Sequence, residues 1–161
     1  MELKIPITLV SRYDVSRLLR ELNSLDDFFA GAKSRPAGTA LPAPRPSNLL
    51  NQLVSDNQVN LLEEAQRQQL KARLEGLLKT APQLRISFSS EPPAKVLEQI
   101  LSWMRQNIHP TLLLQVGLQP NVAAGFMLRT PNKWFDMSLR PRLQKEQPYL
   151  IELIAGATGG Q

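Results

Sequence analysis

An α+β fold is predicted by three features of this 161-residue chain. Apolar residues recur every three to four positions at Val15–Phe29, Leu70–Leu78 and Val96–Ile108, the spacing of helices with one buried side. Short apolar runs bounded by Gly and Pro, such as Leu112–Val116 and Phe126–Leu128, have strand character. Between the first two helical stretches lies AKSRPAGTALPAPRPS, whose prolines remove donors and fix φ, giving an exposed, extended linker. The layout is therefore an N-terminal strand and helices, a Pro-rich linker, and a small mixed sheet with packed helices. The boundaries read as 1–31 for a strand–helix segment, 32–47 for the linker and 48–81 for a helical segment. An α+β domain over 82–155 and a disordered tail at 156–161 follow.

Element by element, Lys4 to Val10 alternates weakly and reads as a short strand. Ser11 or Asp14 caps the next helix, whose apolar face is Val15, Leu18, Leu19, Leu22, Leu25, Phe28 and Phe29. Ser47 or Asn48 caps a short helix through Val54, which Ser55-Asp56-Asn57 ends. A longer helix then runs to about Lys79. Leu62, Leu70, Leu74, Leu77 and Leu78 lie on one side, and Arg67 and Lys71 on a solvated face. A strand is expected near Leu84–Phe88. Ser89-Ser90-Glu91-Pro92-Pro93 starts a helix, with prolines confined to its first turn. That helix carries Val96, Leu97, Ile100, Leu101, Met104 and Ile108 as its stripe. Trp103 falls beside the stripe, as a core-edge residue or a partner anchor, with core-edge preferred. His109-Pro110 ends the helix, and a strand follows over Leu112–Gly117.

Composition narrows the chemistry. The chain has no Cys and one His, so disulfides, thiol catalysis and a transition-metal site are not expected. No Gly-rich phosphate loop is present among its eight glycines. No cofactor and no enzymatic activity are expected. The net charge of +5 is spread evenly along the sequence, unlike the concentrated footprint of a nucleic-acid binder. No apolar run approaches the ~20 residues of a membrane span. The opening MELKIPITLV lacks a signal-peptide core, so cytosolic synthesis is expected.

The most informative segment is VAAGFMLRTPNKWFDMSLRPRL, residues 122–143. Ala124-Gly125 are small and enter the apolar run Phe126-Met127-Leu128. Gly permits close backbone approach or an unusual φ there. Thr130-Pro131-Asn132-Lys133 is a turn, and Trp134-Phe135 favour a second antiparallel strand. Asp136 and Ser138 are placed at the start of a helix, where either oxygen can accept from unpaired N–H groups. That capping role is preferred over a catalytic acid and nucleophile, since His109 is the one candidate base. Loss of the Asp136 cap is expected to cost about 1 kcal/mol. Leu139, Leu143, Leu150 and Ile154 keep helical spacing. Pro141 is tolerated in a first turn, and Pro148 kinks or splits the helix.

This segment resembles the C-terminal signature of the delta subunit of rotary ATP synthases, the oligomycin-sensitivity-conferring protein family. That signature joins a small pair, an apolar strand with a basic residue, a turn, and Asp-Gly-Ser-apolar-basic-x-basic-Leu. The matching residues are Ala124, Gly125, Asp136, Ser138, Arg140, Arg142 and Leu143, with Ala124 and Met137 where the family usually has Gly. The resemblance spans about residues 83–154 and fits a short, divergent bacterial member. It implies a non-catalytic peripheral-stalk subunit whose partners are b-type stalk subunits and catalytic-head subunits. Such a subunit sits peripherally at the cytoplasmic face of the bacterial inner membrane and does not bind nucleic acid. Trp103, Leu150 and Ile154 are the candidate partner contacts. The alternative is a free-standing nucleic-acid-binding or adaptor module with a delta-like fold.

Overall fold

The computed structural model describes residues 3–34, 43–122, 124–130, 133–139 and 144–148. Its helices are α1 (Arg12–Lys33), α2 (Asn48–Asn57), α3 (Glu64–Thr80) and α4 (Ala94–Asn107). The strands are β1 (Gln83–Phe88), β2 (Leu113–Leu118), β3 (Gly125–Arg129) and β4 (Trp134–Ser138). The fold is α+β, with a mixed four-stranded sheet in the order β2-β1-β3-β4. Contacts group Met1–Gln83 with Ala94–Leu114 in one compact unit, and Leu84–Pro93 with Gln115–Gln161 in a second. This division differs from the sequence boundary at 82, because α4 and the start of β2 group with the N-terminal helices.

In the first unit α1 packs against α3. Ser11 and Asp14 form a capping box: the Asp14 N–H donates to Ser11 Oγ, and the Ser11 N–H donates to Asp14 Oδ2 at 2.8 Å. Val15, Leu18, Leu22 and Leu25 of α1, Leu50 and Leu53 of α2, and Leu70, Leu74 and Leu77 of α3 form one core with Leu9 and Leu113. That core is almost wholly leucine, as a chain so poor in aromatics requires. The segments 1–31 and 48–81 thus share one interior. Of the linker between them, residues 35–42 lie outside the described residues.

Three expectations for this unit need correction. Lys4 to Val10 is not a strand: the Leu9 N–H closes a turn onto the Pro6 carbonyl at 3.1 Å, and Pro6 has no N–H for a ladder. α2 does not stop at Val54 but runs through Ser55-Asp56-Asn57. It ends where Gln58 turns left-handed at φ 53°, with the Gln58 N–H donating to Ser55 O and the Val59 N–H to Val54 O. This paired ending is the Schellman arrangement, here with Gln where Gly is usual. Leu62 lies before α3 and is 75% exposed, whereas Arg67 is only 2% exposed.

α4 buries Leu101 and Met104. Beside them Arg105 donates to three backbone carbonyls, Pro6 O at 2.9 Å, Leu9 O at 2.6 Å and Leu112 O at 3.2 Å. The guanidinium therefore fastens α4 to the N-terminal turn and to the approach to β2. Burial pushes its pKa down to about 10, which leaves it charged at neutral pH.

The second unit holds the body of the sheet. β1 pairs antiparallel with β3, and β3 antiparallel with β4. Leu84, Ile86 and Phe88 alternate as the buried residues of β1, the period-2 signature of a sheet with one covered face.

Candidate functional site

The 124–138 segment folds as the β3–β4 hairpin. Its turn is closed by the Thr130 N–H donating to Lys133 O at 2.9 Å and the Lys133 N–H donating to Thr130 Oγ1 at 2.8 Å. Pro131 and Asn132 lie outside the described residues. The register pairs Gly125 with Ser138, Phe126 with Met137 and Met127 with Asp136. The small pair and the Asp-x-Ser element are thus cross-strand neighbours.

Backbone conformation explains why small residues stand at the start of β3. Ala124 has φ 51° and Gly125 φ 101°, both in the left-handed region that a Cβ penalises. A Cβ on Gly125 would lie 2.6 Å from the Met137 carbonyl oxygen and 2.9 Å from Ser138 Cα. The two strands approach too closely there for any side chain. The hairpin end is tied by the Leu139 N–H donating to Ala124 O at 2.9 Å.

Asp136 and Ser138 do not start a helix; both belong to β4. The Ser138 N–H donates to Asp136 Oδ1 at 2.9 Å, so the carboxylate holds the end of its own strand. Asp often closes such local turns by accepting an amide two residues on. Residues 144–148 are helical, and Leu139 lies directly after β4, outside any described helix. Arg140, Pro141, Arg142, Leu143, Leu150 and Ile154 lie outside the described residues, and Pro148 is the last residue described. His109 Nδ1 is 3.0 Å from Thr111 Oγ1 and accepts from the Thr111 N–H. Trp103 is not a core-edge residue: it is 59% exposed, since it sits about 100° around α4 from Met104. No group of three or more metal-ligating side chains occurs among the described residues.

A charged cluster escaped the sequence reading. Arg67 Nε donates to Asp26 Oδ1 at 2.5 Å, and Arg67 Nη1 donates to Leu61 O at 2.8 Å. Its guanidinium lies 4.5 Å from the Phe29 ring centroid. Gln68 and Lys71 donate to the other Asp26 oxygen. Burial raises the Asp26 pKa, but hydrogen bonds and charge from Lys71 and Arg67 outweigh it, and the net shift is downward. The signal was present in the spacing: 67, 70, 74 and 77 form one continuous helical stripe, and Arg67 was assigned by polarity instead. The cluster is saturated and joins α1 to α3, so it serves the fold.

Compared with known proteins, the chain matches no family model and no curated protein.

Proposed function

We propose that the protein is a non-catalytic, delta-like subunit of the peripheral stalk of a bacterial rotary ATP synthase. In this reading it links the catalytic head to the membrane-anchored b-type stalk, peripherally at the cytoplasmic face. The observation that carries the reading is the geometry of the hairpin. The small pair and Asp-x-Ser are distant in sequence, yet Gly125 and Ser138 are direct cross-strand partners. Ala124 and Gly125 both take positive φ, which is the physical reason a Gly-Gly pair suits that position. Of the motif positions, the four that are described, Ala124, Gly125, Asp136 and Ser138, thus lie together at one end of the hairpin, which supports the reading.

A stalk subunit must hold a lasting interface under torque. Trp103 on α4 offers an exposed aromatic anchor of the kind that dominates protein interfaces. The test is co-purification from native membranes with a C-terminal tag at two salt levels, with partners identified by mass. Stalk and head subunits retained at high salt are the expected result, because apolar interfaces resist screening. Recovery of no synthase component would sink the reading.

A further inference from the structure

We propose that the open face of the sheet carries a binding site for a nucleoside phosphate. Cross-strand register puts Arg85 of β1 opposite Arg129 of β3, and Arg129 opposite Trp134 of β4. Cross-strand partners project from the same face, so the three side chains form one row across three strands. All three line a single concavity of about 610 Å³. Two guanidiniums set directly opposite one another repel. Neither makes an ion pair with a carboxylate among the described residues. That arrangement is relieved by an anion able to accept from both, and a phosphate suits the planar fork of Arg.

The other end of the row specifies what the phosphate is attached to. Trp134 is 66% exposed and stands beside Arg129, offering an indole face on which a flat ring can stack. Three neighbouring strands place Trp134 about 10 Å from Arg85 along the row, a span comparable with one nucleotide. In the next row Met127 faces Asp136, which puts a carboxylate on the Trp134 side. The row is therefore polar in one sense, with the phosphate toward Arg85 and the ring toward Trp134. An acidic protein segment would satisfy the arginines but leave the exposed indole unused, so the nucleoside phosphate is favoured. A free nucleotide at this site is compatible with the stalk reading, whereas a bound strand would favour the nucleic-acid-binding alternative.

The test uses the full chain with Trp103→Phe, which leaves Trp134 as the sole tryptophan of the two present. Its fluorescence is titrated with deoxyadenosine monophosphate, with a single-stranded oligodeoxyadenylate of about ten nucleotides, and with polyglutamate of matched charge. Saturable quenching by an adenylate probe is expected. For the oligonucleotide, affinity should fall with salt at a log–log slope of about 0.7 per phosphate contacted. Arg85→Gln and Arg129→Gln should each weaken binding about tenfold, the loss of one charge-assisted contact. Arg129→Lys, which keeps the charge, should lose less. Trp134→Ala, read by anisotropy of a labelled oligonucleotide, should weaken binding at least about fivefold. Saturation by the monophosphate would identify a free nucleotide as sufficient, and saturation by the oligonucleotide alone would identify a strand. The proposal is overturned if neither adenylate quenches Trp134, if polyglutamate binds as tightly, or if the arginine variants keep wild-type melting curves and full affinity.

Discussion

At the scale of single residues, two positions in the hairpin make opposite predictions. Gly125→Ala forces a Cβ against the Met137 carbonyl and should cost about 3 kcal/mol, measured by urea unfolding. Ala124→Gly relieves a left-handed alanine and should raise stability by about 0.5 kcal/mol. Asp26 contributes to acid sensitivity. Its pKa is lower in the folded state than its ordinary value of 3.8. Its contribution is therefore fully present above that ordinary value and is lost as pH falls through the lower folded one. Unfolding midpoints should hold from neutrality to about pH 5 and fall below about pH 4. Asp26→Asn should flatten that fall, while costing about 2–3 kcal/mol at neutral pH because Arg67 is left buried without its counter-charge.

At the scale of elements, helix ends and helix ties decide what the periodicity could not. The face of α1, and the positions of β1 and β2, were legible because apolar spacing reports them directly; in α4 the spacing found Leu101 and Met104, but Val96 at the start of its stripe and Ile108, just past the helix end, are exposed. The extra turn of α2 was not, because polar Ser55-Asp56-Asn57 resembles a stop, and the stop itself is a non-Gly left-handed residue. Gln58→Gly should therefore raise the melting midpoint, with a gain of about 0.5–1 kcal/mol. Asp136 was read as a helix cap because Asp serves both helix starts and strand-end turns, and only the strand register separates the two. The row Arg85–Arg129–Trp134 was hidden for a similar reason. Its members are dispersed in sequence and meet only through pairing of β1, β3 and β4. Arg105 ties α4 to residues near the N-terminus through three carbonyls. Arg105→Met should lower stability by about 2 kcal/mol, read as a shift in urea midpoint with an unchanged slope.

At the scale of the whole molecule, the compact units are not consecutive in sequence. The N-terminal helices share a unit with Ala94–Leu114, and Leu113 belongs to their leucine core. A fragment ending at Gln83 lacks that leucine and the Arg105 tie. It should show reduced helicity by circular dichroism and no cooperative melt, whereas a fragment that melts like the full chain would refute this. The sequence reading put a boundary at 82 because the helical spacing ends near Lys79 and the family resemblance begins near residue 83. Contacts, which composition does not report, carry the chain across that point and back.

Among the described residues β4 bounds the sheet on one side. Its sequence, Trp-Phe-Asp-Met-Ser, presents three large exposed apolar side chains and a single charge. Such an edge is a template on which another chain can add a strand, and charged residues placed along edges are what discourage it. Asp136 is the one charged side chain of that strand, the kind of residue that discourages such pairing. Neutralising it would convert the border of the hairpin into a seed for aggregation, with turbidity rising at concentrations where the native chain stays clear.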